Sequence, residues 1–322
     1  MSQLSLVVDR DDDTPQPFRV PGPGIYEMTA DQYHADPCPE PSLSSSIAWL
    51  LLKAPAKAAF SHPRLNPDHR EEVSEDFDIG KVSHEIVLRG ARGKVAVVQG
   101  FTDWRTKEAQ QLRDQVRASG KIPLLEKTWK HVFAMTQATR AQLDAHEDGR
   151  AMFRDGKAEQ VLVWTEQVGR RTVWCRAMLD YLRAVPQHRG GAFAIDDYKS
   201  TRASANPADL ARSMPNGAWP LQAAFYARGV ELLTGEKATF RFAVQECFAP
   251  YLLSVIACNP SLEMLAEVKQ YHRAVERWAV CLEDGAWPGY GTRTAFIDLP
   301  PWVEAAALEA ELRDEQEAGH GV

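Results

Sequence analysis

Apolar residues in this chain follow two rhythms, one of period two and one of three to four, separated by proline- and glycine-rich punctuation. Three short runs, Glu159 to Trp164, Thr172 to Leu179 and Ala192 to Tyr198, are rich in β-branched and aromatic residues and bounded by Gly or Pro. Such runs fit a pleated, half-buried surface, so together they predict the centre of a sheet. Thr239 to Val244 and Tyr251 to Ile256 predict further strands, and Gly24 to Met28 a short early one. Helical spacing appears where Ile79, Val82, Ile86 and Val87 share one side over about Phe77 to Leu88. It returns in Leu262, Leu265, Val268, Tyr271, Val275 and Trp278, which predict one amphipathic helix from Ser261 to Leu282. Pro207 and Pro220 suit first helical turns and open helices over Ala208 to Arg212 and Leu221 to Leu233. Ser44 or Ser45 supplies an N-cap for the apolar stretch that runs through Leu52.

Strands alternating with helices predict an α/β protein, a central mixed sheet flanked by helices. The polar stretch from Asp103 to Leu143, with periodic apolar positions, reads as two or three helices in an insertion spanning about residues 103–147. Residues 1–23, rich in Asp and Pro, lack the apolar content to build a core and read as a flexible arm. The main domain then spans 24–300, and residues 301–322 form a charged helix or tail.

Composition narrows the function classes. At 322 residues, 44% hydrophobic and 25% charged, the chain is an ordinary globular protein rather than a disordered or fibrous one. It contains no run of about 18 apolar residues, and Met1 to Arg10 lack the basic start and apolar stretch of a secretory signal, which predicts a cytoplasmic protein without a membrane span. Cys38, Cys175, Cys247, Cys258 and Cys281 are odd in number and widely spaced, so they predict reduced thiols and no iron–sulfur cluster. The net charge of −7 opposes a broadly basic DNA-binding surface, so any such surface must be local. Part of that charge lies in solvated acidic stretches, and acidic metal ligands count as negative only until they are loaded.

Candidate chemistry concentrates on Asp180, a following loop with Arg189-Gly190-Gly191, and Asp196-Asp197-Tyr198-Lys199 at the end of an apolar strand. Residues i and i+2 of a strand share a face, so Asp197 and Lys199 put a carboxylate and an ammonium in one site. Alternation lets only one of Asp196 and Asp197 face that site, and the lysine register selects Asp197. Phosphodiester hydrolysis needs oxygen ligands for Mg²⁺ and a cation near the nucleophile, and Asp180, Asp197 and Lys199 supply both. Upstream, Gly80-Lys81-Val82-Ser83-His84-Glu85 places an imidazole on a helix, where it can join a metal shell. Downstream, Gln222 and Tyr226 lie four apart on one helix face and can reach a phosphate or a base. An isolated Asp-x-Lys is an ordinary surface ion pair; the ordered set is not.

A helix His, an Asp, an Asp-x-Lys and a Gln-x-x-x-Tyr helix, in that order, resemble the RecB-type branch of the PD-(D/E)XK nucleases. The opening Gly24-Ile25-Tyr26, the Asp31-Gln32-Tyr33-His34 turn, Leu43-Ser44-Ser45-Ser46 and Ala54-Pro55-Ala56 are similar to the start of RecE-type exonucleases, exodeoxyribonuclease VIII of phage and prophage recombination. The resemblance covers roughly Gly24 to Tyr290. It implies the restriction-endonuclease-like fold, metal ligands His84, Asp180, Asp197 and the Tyr198 carbonyl, and Lys199 as a catalytic residue. Glu159 corresponds to an acidic position that could bind a second metal, orient a water or form a salt bridge. Arg202 and Arg176 could contact DNA phosphates or serve as ion-pair partners. The implied activity is Mg²⁺-dependent, with Mn²⁺ substituting, and removes nucleotides from the ends of linear duplex DNA, 5′ to 3′, leaving 3′ overhangs. A ring-shaped homo-oligomer and a RecT-like annealing partner are implied with it. The alternatives are an endonuclease with the same site, or an idle DNA-binding scaffold. Arg176-Ala177-Met178-Leu179 before Asp180 departs from the small residue common beside the first Asp in that family.

Overall fold

The computed structural model describes residues 18–68, 75–90, 95–185, 192–298 and 301–319. Residues 1–17 of the proposed arm and the Arg189-Gly190-Gly191 loop lie outside the described residues. The chain divides into two compact units, residues 1–287 and 288–322. In the first, six strands form one mixed sheet. Numbered in chain order, their spatial order is β1 (Gly24–Tyr26), β4 (Lys157–Val168), β5 (Arg171–Ala184), β6 (Phe193–Thr201), β7 (Ala238–Glu246) and β8 (Leu253–Ile256). Within this sheet β6 and β7 run parallel and the other neighbours antiparallel. A parallel neighbour demands a crossover, which α7 (Pro207–Ser213) and α8 (Trp219–Thr234) supply.

Period-two alternation sorts the sheet into two cores. On one face Leu162, Trp164, Val173, Cys175, Leu179, Ile195, Phe242 and Val244 pack against α2 (Ser45–Lys53), α8 and α10 (His272–Asp284). On the other, Tyr181, Tyr198 and Ala243 pack with Val87 and Leu88 of α4 (Glu75–Arg89) and Leu143 of α6 (Glu126–Ala145). Gly229 lets α8 lie close on the sheet, because a Cβ there would stand 2.8 Å from the buried Trp164 ring.

The pairing of the central strands is uneven. β4 and β5 pair along almost their whole lengths, and β6 and β7 pair over nine residues. β5 and β6 share only four pairs, from Tyr181↔Asp196 to Ala184↔Phe193, and then part. The edge of β5 that this exposes is covered by Leu43, whose N–H donates to the Trp174 carbonyl at 2.8 Å and whose carbonyl accepts from the Arg176 N–H at 2.9 Å. Ser44 then caps α2 by accepting from the Ile47 N–H, so the helix starts beside the split.

Three features differ from the sequence pattern. The insertion is not purely helical: β2 (Val95–Val98) and β3 (Ile122–Leu125) pair in parallel beside α5 (Lys107–Ala118) and α6. The late helix is α9 (Pro260–Leu265), a π turn over Ala266–Tyr271, and α10. The wider turn rotates the apolar stripe, so Tyr271, Val275 and Trp278 are buried while Leu265 and Val268 face solvent. The packed body also begins before Gly24, since Val20 is buried and its N–H donates to the Pro37 carbonyl at 2.9 Å. The second unit contains α11 (Pro301–Gly319). Among the described residues, no helix is long and apolar enough to cross a membrane, and no disulfide joins any of the cysteines.

Candidate active site

Asp180 and Asp197 are the first residues past the last β5–β6 pair, Tyr181↔Asp196. Where the strands part, the Tyr198 N–H loses its strand partner and donates instead to Asp180 Oδ2 at 2.8 Å. The N–H and C=O of a strand residue project toward the same neighbour, so the Tyr198 carbonyl is directed into the same gap. Helices from both faces close on it. His84 of α4 sets Nε2 2.8 Å from Asp180 Oδ2, and Gln222 of α8 donates Nε2–H to Asp197 Oδ2 at 2.9 Å. Lys199 Nζ lies 2.6 Å from Asp197 Oδ1. Asp196 faces the other way, held by Arg183 at 3.1 Å and Arg241 at 2.5 Å, so strand alternation separates the two adjacent aspartates as the lysine register requires.

The electrostatics follow from burial and charge pairing. Burial, together with the Asp180 charge, pushes the Asp197 carboxyl up to about 7 against the pull of Lys199 and His84. Burial also acts to raise Asp180, but the His84 charge and hydrogen bond, Lys199 and the Tyr198 amide outweigh it and hold that carboxyl below its ordinary value. Burial disfavours the charged forms of His84 and Lys199, yet the facing carboxylates overcome it and raise both above their usual ranges. Two neighbouring acids, Asp197 buried and Asp180 part-buried, with opposite shifts and a fixed ammonium mark a site built for ionic chemistry.

The donor set suits a hard divalent cation: two carboxylates, an imidazole and a backbone carbonyl. Among the described residues, no three His, Cys, Asp or Glu side chains already converge as a metal cage. His84 and Asp180 instead pair with each other, and Asp197 with Lys199 and Gln222. Asp197 Oδ1, however, is buried without a properly directed hydrogen bond despite its short approach to Lys199. That oxygen is held by the Lys199 charge, and a divalent cation could take the ammonium's place on it. The residues therefore fit the metal that the pattern implies.

A cleft of about 310 Å³ opens at the split, lined by His84, Glu159, Met178, Asp180, Gln222 and Tyr226 together with Tyr33, His34, Ser45, Ser46 and Ala218. Glu159 sits between the paired Ala158↔Tyr181 and Gln160↔Leu179, opposite Asp180, at φ +51°, a left-handed conformation that costs a non-glycine residue about 1 kcal/mol or more. Its carboxylate pairs with Arg89 at the end of α4, so the salt-bridge reading of Glu159 describes its present contact. Arg176 does not reach a DNA surface. It is buried, donates to the Ser42 carbonyl at 2.8 Å and lies 3.3 Å from Asp36, because residue 176 falls under the N-terminal segment that covers β5. Arg202 is exposed just past the end of β6. Tyr226 is buried in the wall of the cleft, and the Gln222 amide is directed at Asp197. Sequence reasoning passed over Tyr33, His34, Ser45 and Ser46 as cleft residues. The Leu43-Ser44-Ser45-Ser46 signal marked a helix entry but not the surface that entry faces.

The profile of a family described as "PDDEXK-like domain of unknown function (DUF3799)" matches residues 50–300. No curated protein matches the chain. Among solved structures, a protein from Eubacterium rectale described as a candidate exonuclease superposes with a TM-score of 0.50 at 14% identity, covering 85% of this chain and 96% of that one. A structure named SSO0001 aligns over 62% of this chain and 84% of that one, at 11% identity and a TM-score of 0.25. The first likeness supports a common fold, a mixed sheet flanked by helices.

Proposed function

The chain belongs to the PDDEXK-like family DUF3799, and we propose that it is a magnesium-dependent exodeoxyribonuclease acting on linear double-stranded DNA. The observation that carries this reading is the gap between β5 and β6, where the His84–Asp180 pair and the Lys199–Asp197 pair stand on the two strands just past their last shared contact. A Mg²⁺ or Mn²⁺ ion held by His84, Asp180, Asp197 and the Tyr198 carbonyl would polarise the scissile phosphate and acidify a water. Around it the protein's own groups act in fixed places. Lys199 remains charged under the pull of Asp197 and Asp180, which favours orienting the nucleophile over abstracting its proton. His84 and the Tyr198 amide hold Asp180 ionised and aimed into the gap. Arg202 at the exit of β6 is our choice for a contact to the DNA backbone, with Glu159 available for a second ion once it leaves Arg89.

The candidate exonuclease among the structural neighbours and the resemblance to RecE-type enzymes favour ends over internal sites. The same resemblance supports 5′-to-3′ action leaving 3′ overhangs, a ring-shaped homo-oligomer, and delivery of the product strand to a RecT-like annealing protein. The test is purified protein with Mg²⁺ and end-labelled linear duplex, beside a covalently closed circle and an Asp197→Ala control. Loss of the linear DNA alone, absent in the control, is the expected result. Cleavage of the circle would identify an endonuclease, and inert linear DNA would leave a DNA-binding scaffold.

A further inference from the structure

We infer that Gln222 is a positioning residue for Asp197, fixing which of its oxygens is offered to the metal, rather than a contact to DNA. The inference rests on the metal-dependent reading of the site and deepens it.

Three observations meet at Asp197, whose side chain is fully buried. Its Oδ2 is taken by the Gln222 amide at 2.9 Å, with good hydrogen-bond geometry. Its Oδ1 faces Lys199 and lacks a directed hydrogen bond. A carboxylate has two equivalent oxygens, and a rotation of the group exchanges them unless one is tied down. With Oδ2 tied to α8, Oδ1 is the oxygen held toward cationic partners, Lys199 in the metal-free protein and the metal once it displaces that contact.

An amide can bind a carboxylate only through its NH₂ end, and the 2.9 Å contact fixes that end of Gln222 on Asp197. Tyr226, one helical turn along α8, is buried in the same cleft wall with its ring 6.0 Å from that of Phe240, centroid to centroid. Partners of this kind around metal ligands are as consequential as the ligands they hold.

The test compares wild type with Gln222→Met, which keeps the side-chain length but lacks the N–H donor, and with Gln222→Asn, which keeps the amide but withdraws it from Asp197 by one methylene. Mn²⁺ binding is followed by electron paramagnetic resonance, and binding of a blunt duplex in EDTA by fluorescence anisotropy. The Mn²⁺ Kd is expected to rise about tenfold to a hundredfold in both, with the duplex Kd unchanged. Unchanged Mn²⁺ affinity with weakened duplex binding would overturn the inference and restore a DNA contact. Should Gln222→Met fail to fold by circular dichroism, Gln222→Asn alone decides, and no change in its Mn²⁺ Kd overturns the inference. Wild type that binds no Mn²⁺ would sink the metal-dependent reading itself and this inference with it, whereas wild type that binds normally beside an equally tight Gln222→Met would remove only the positioning role.

Discussion

Burial and the Asp180 charge push the Asp197 carboxyl up to about 7, so the metal-free protein near neutrality holds a proton that a cation must displace. Above pH 7 the carboxylate is ready-made, but the His84 imidazole, raised by the same acids, must also shed its proton before it can ligate. Falling pH adds a protonation cost at both groups, and Mn²⁺ affinity should weaken by up to about a hundredfold per unit once both are protonated. Calorimetric titration in buffers of different ionisation enthalpy should register proton release on Mn²⁺ binding at pH 6 that declines toward higher pH; release independent of pH would contradict this. Lys199 has a different task, since the facing carboxylates hold it charged. Lys199→Met should lower turnover by roughly 10²–10⁴-fold without weakening Mn²⁺ binding, because it removes the competitor at Asp197 Oδ1. A turnover assay paired with a Mn²⁺ titration checks both halves. The sequence made Asp197 and Lys199 legible because a period of two is a local property. It could not reveal that Gln222 would be directed at Asp197, since that contact spans 25 residues and depends on how α8 crosses the sheet.

The elements that build the site are tied together by buried polar contacts, and these were the hardest features to read in advance. Arg176 admitted either a DNA contact or an ion pair, and the ion pair forms because β5 continues beneath the segment carrying Asp36, Ser42 and Leu43, where its guanidinium is consumed. Burial acts to raise the Asp36 carboxyl, and the charges of Arg176 and His62 with the Ser42 hydrogen bond reverse it, holding it down at about 2. An acid lowered by folding stabilises the native state above its unfolded pKa, near 4, and loses that contribution as pH falls from about 4 to 2. The contribution at neutral pH is about 2 kcal/mol, so urea unfolding of Asp36→Asn should show a flatter acid limb than wild type between those values. The π turn escaped detection for a related reason: one extra residue leaves the apolar composition unchanged but rotates everything before it. At the crossing of α8 over β4, Gly229→Ala would drive a methyl into the Trp164 ring. That should cost about 1–3 kcal/mol, visible as a lowered Tm, whereas an unchanged Tm would mean that α8 can shift on the sheet.

At the scale of the whole molecule, the net charge of −7 is less adverse to a polyanionic substrate than it first looked. The last helix alone carries Glu304, Glu309, Glu311, Asp314, Glu315 and Glu317 against a single Arg313, in a unit separate from the one that holds the cleft. The mixed sheet and its central strands were legible because strand and helix periods are written locally. The split between β5 and β6 was not, because pairing length depends on which segment competes for the strand edge, here Leu43. That split concentrates a buried and a part-buried carboxylate at one point, and in the metal-free state their repulsion is eased by His84, Lys199, the Tyr198 and Gln222 amides and a raised Asp197 pKa. A cation that binds the folded site and not the unfolded chain must therefore stabilise the fold. At a concentration one hundred times its Kd the gain is about 2.7 kcal/mol, which for a unit of this size is a rise of roughly 4–5 °C in Tm. Mg²⁺ or Mn²⁺ should produce such a rise in a thermal melt, EDTA should reverse it, and Asp197→Asn should melt at nearly the same temperature with or without the ion. Equal rises in wild type and Asp197→Asn would place the stabilising ion elsewhere in the protein and remove Asp197 from its shell.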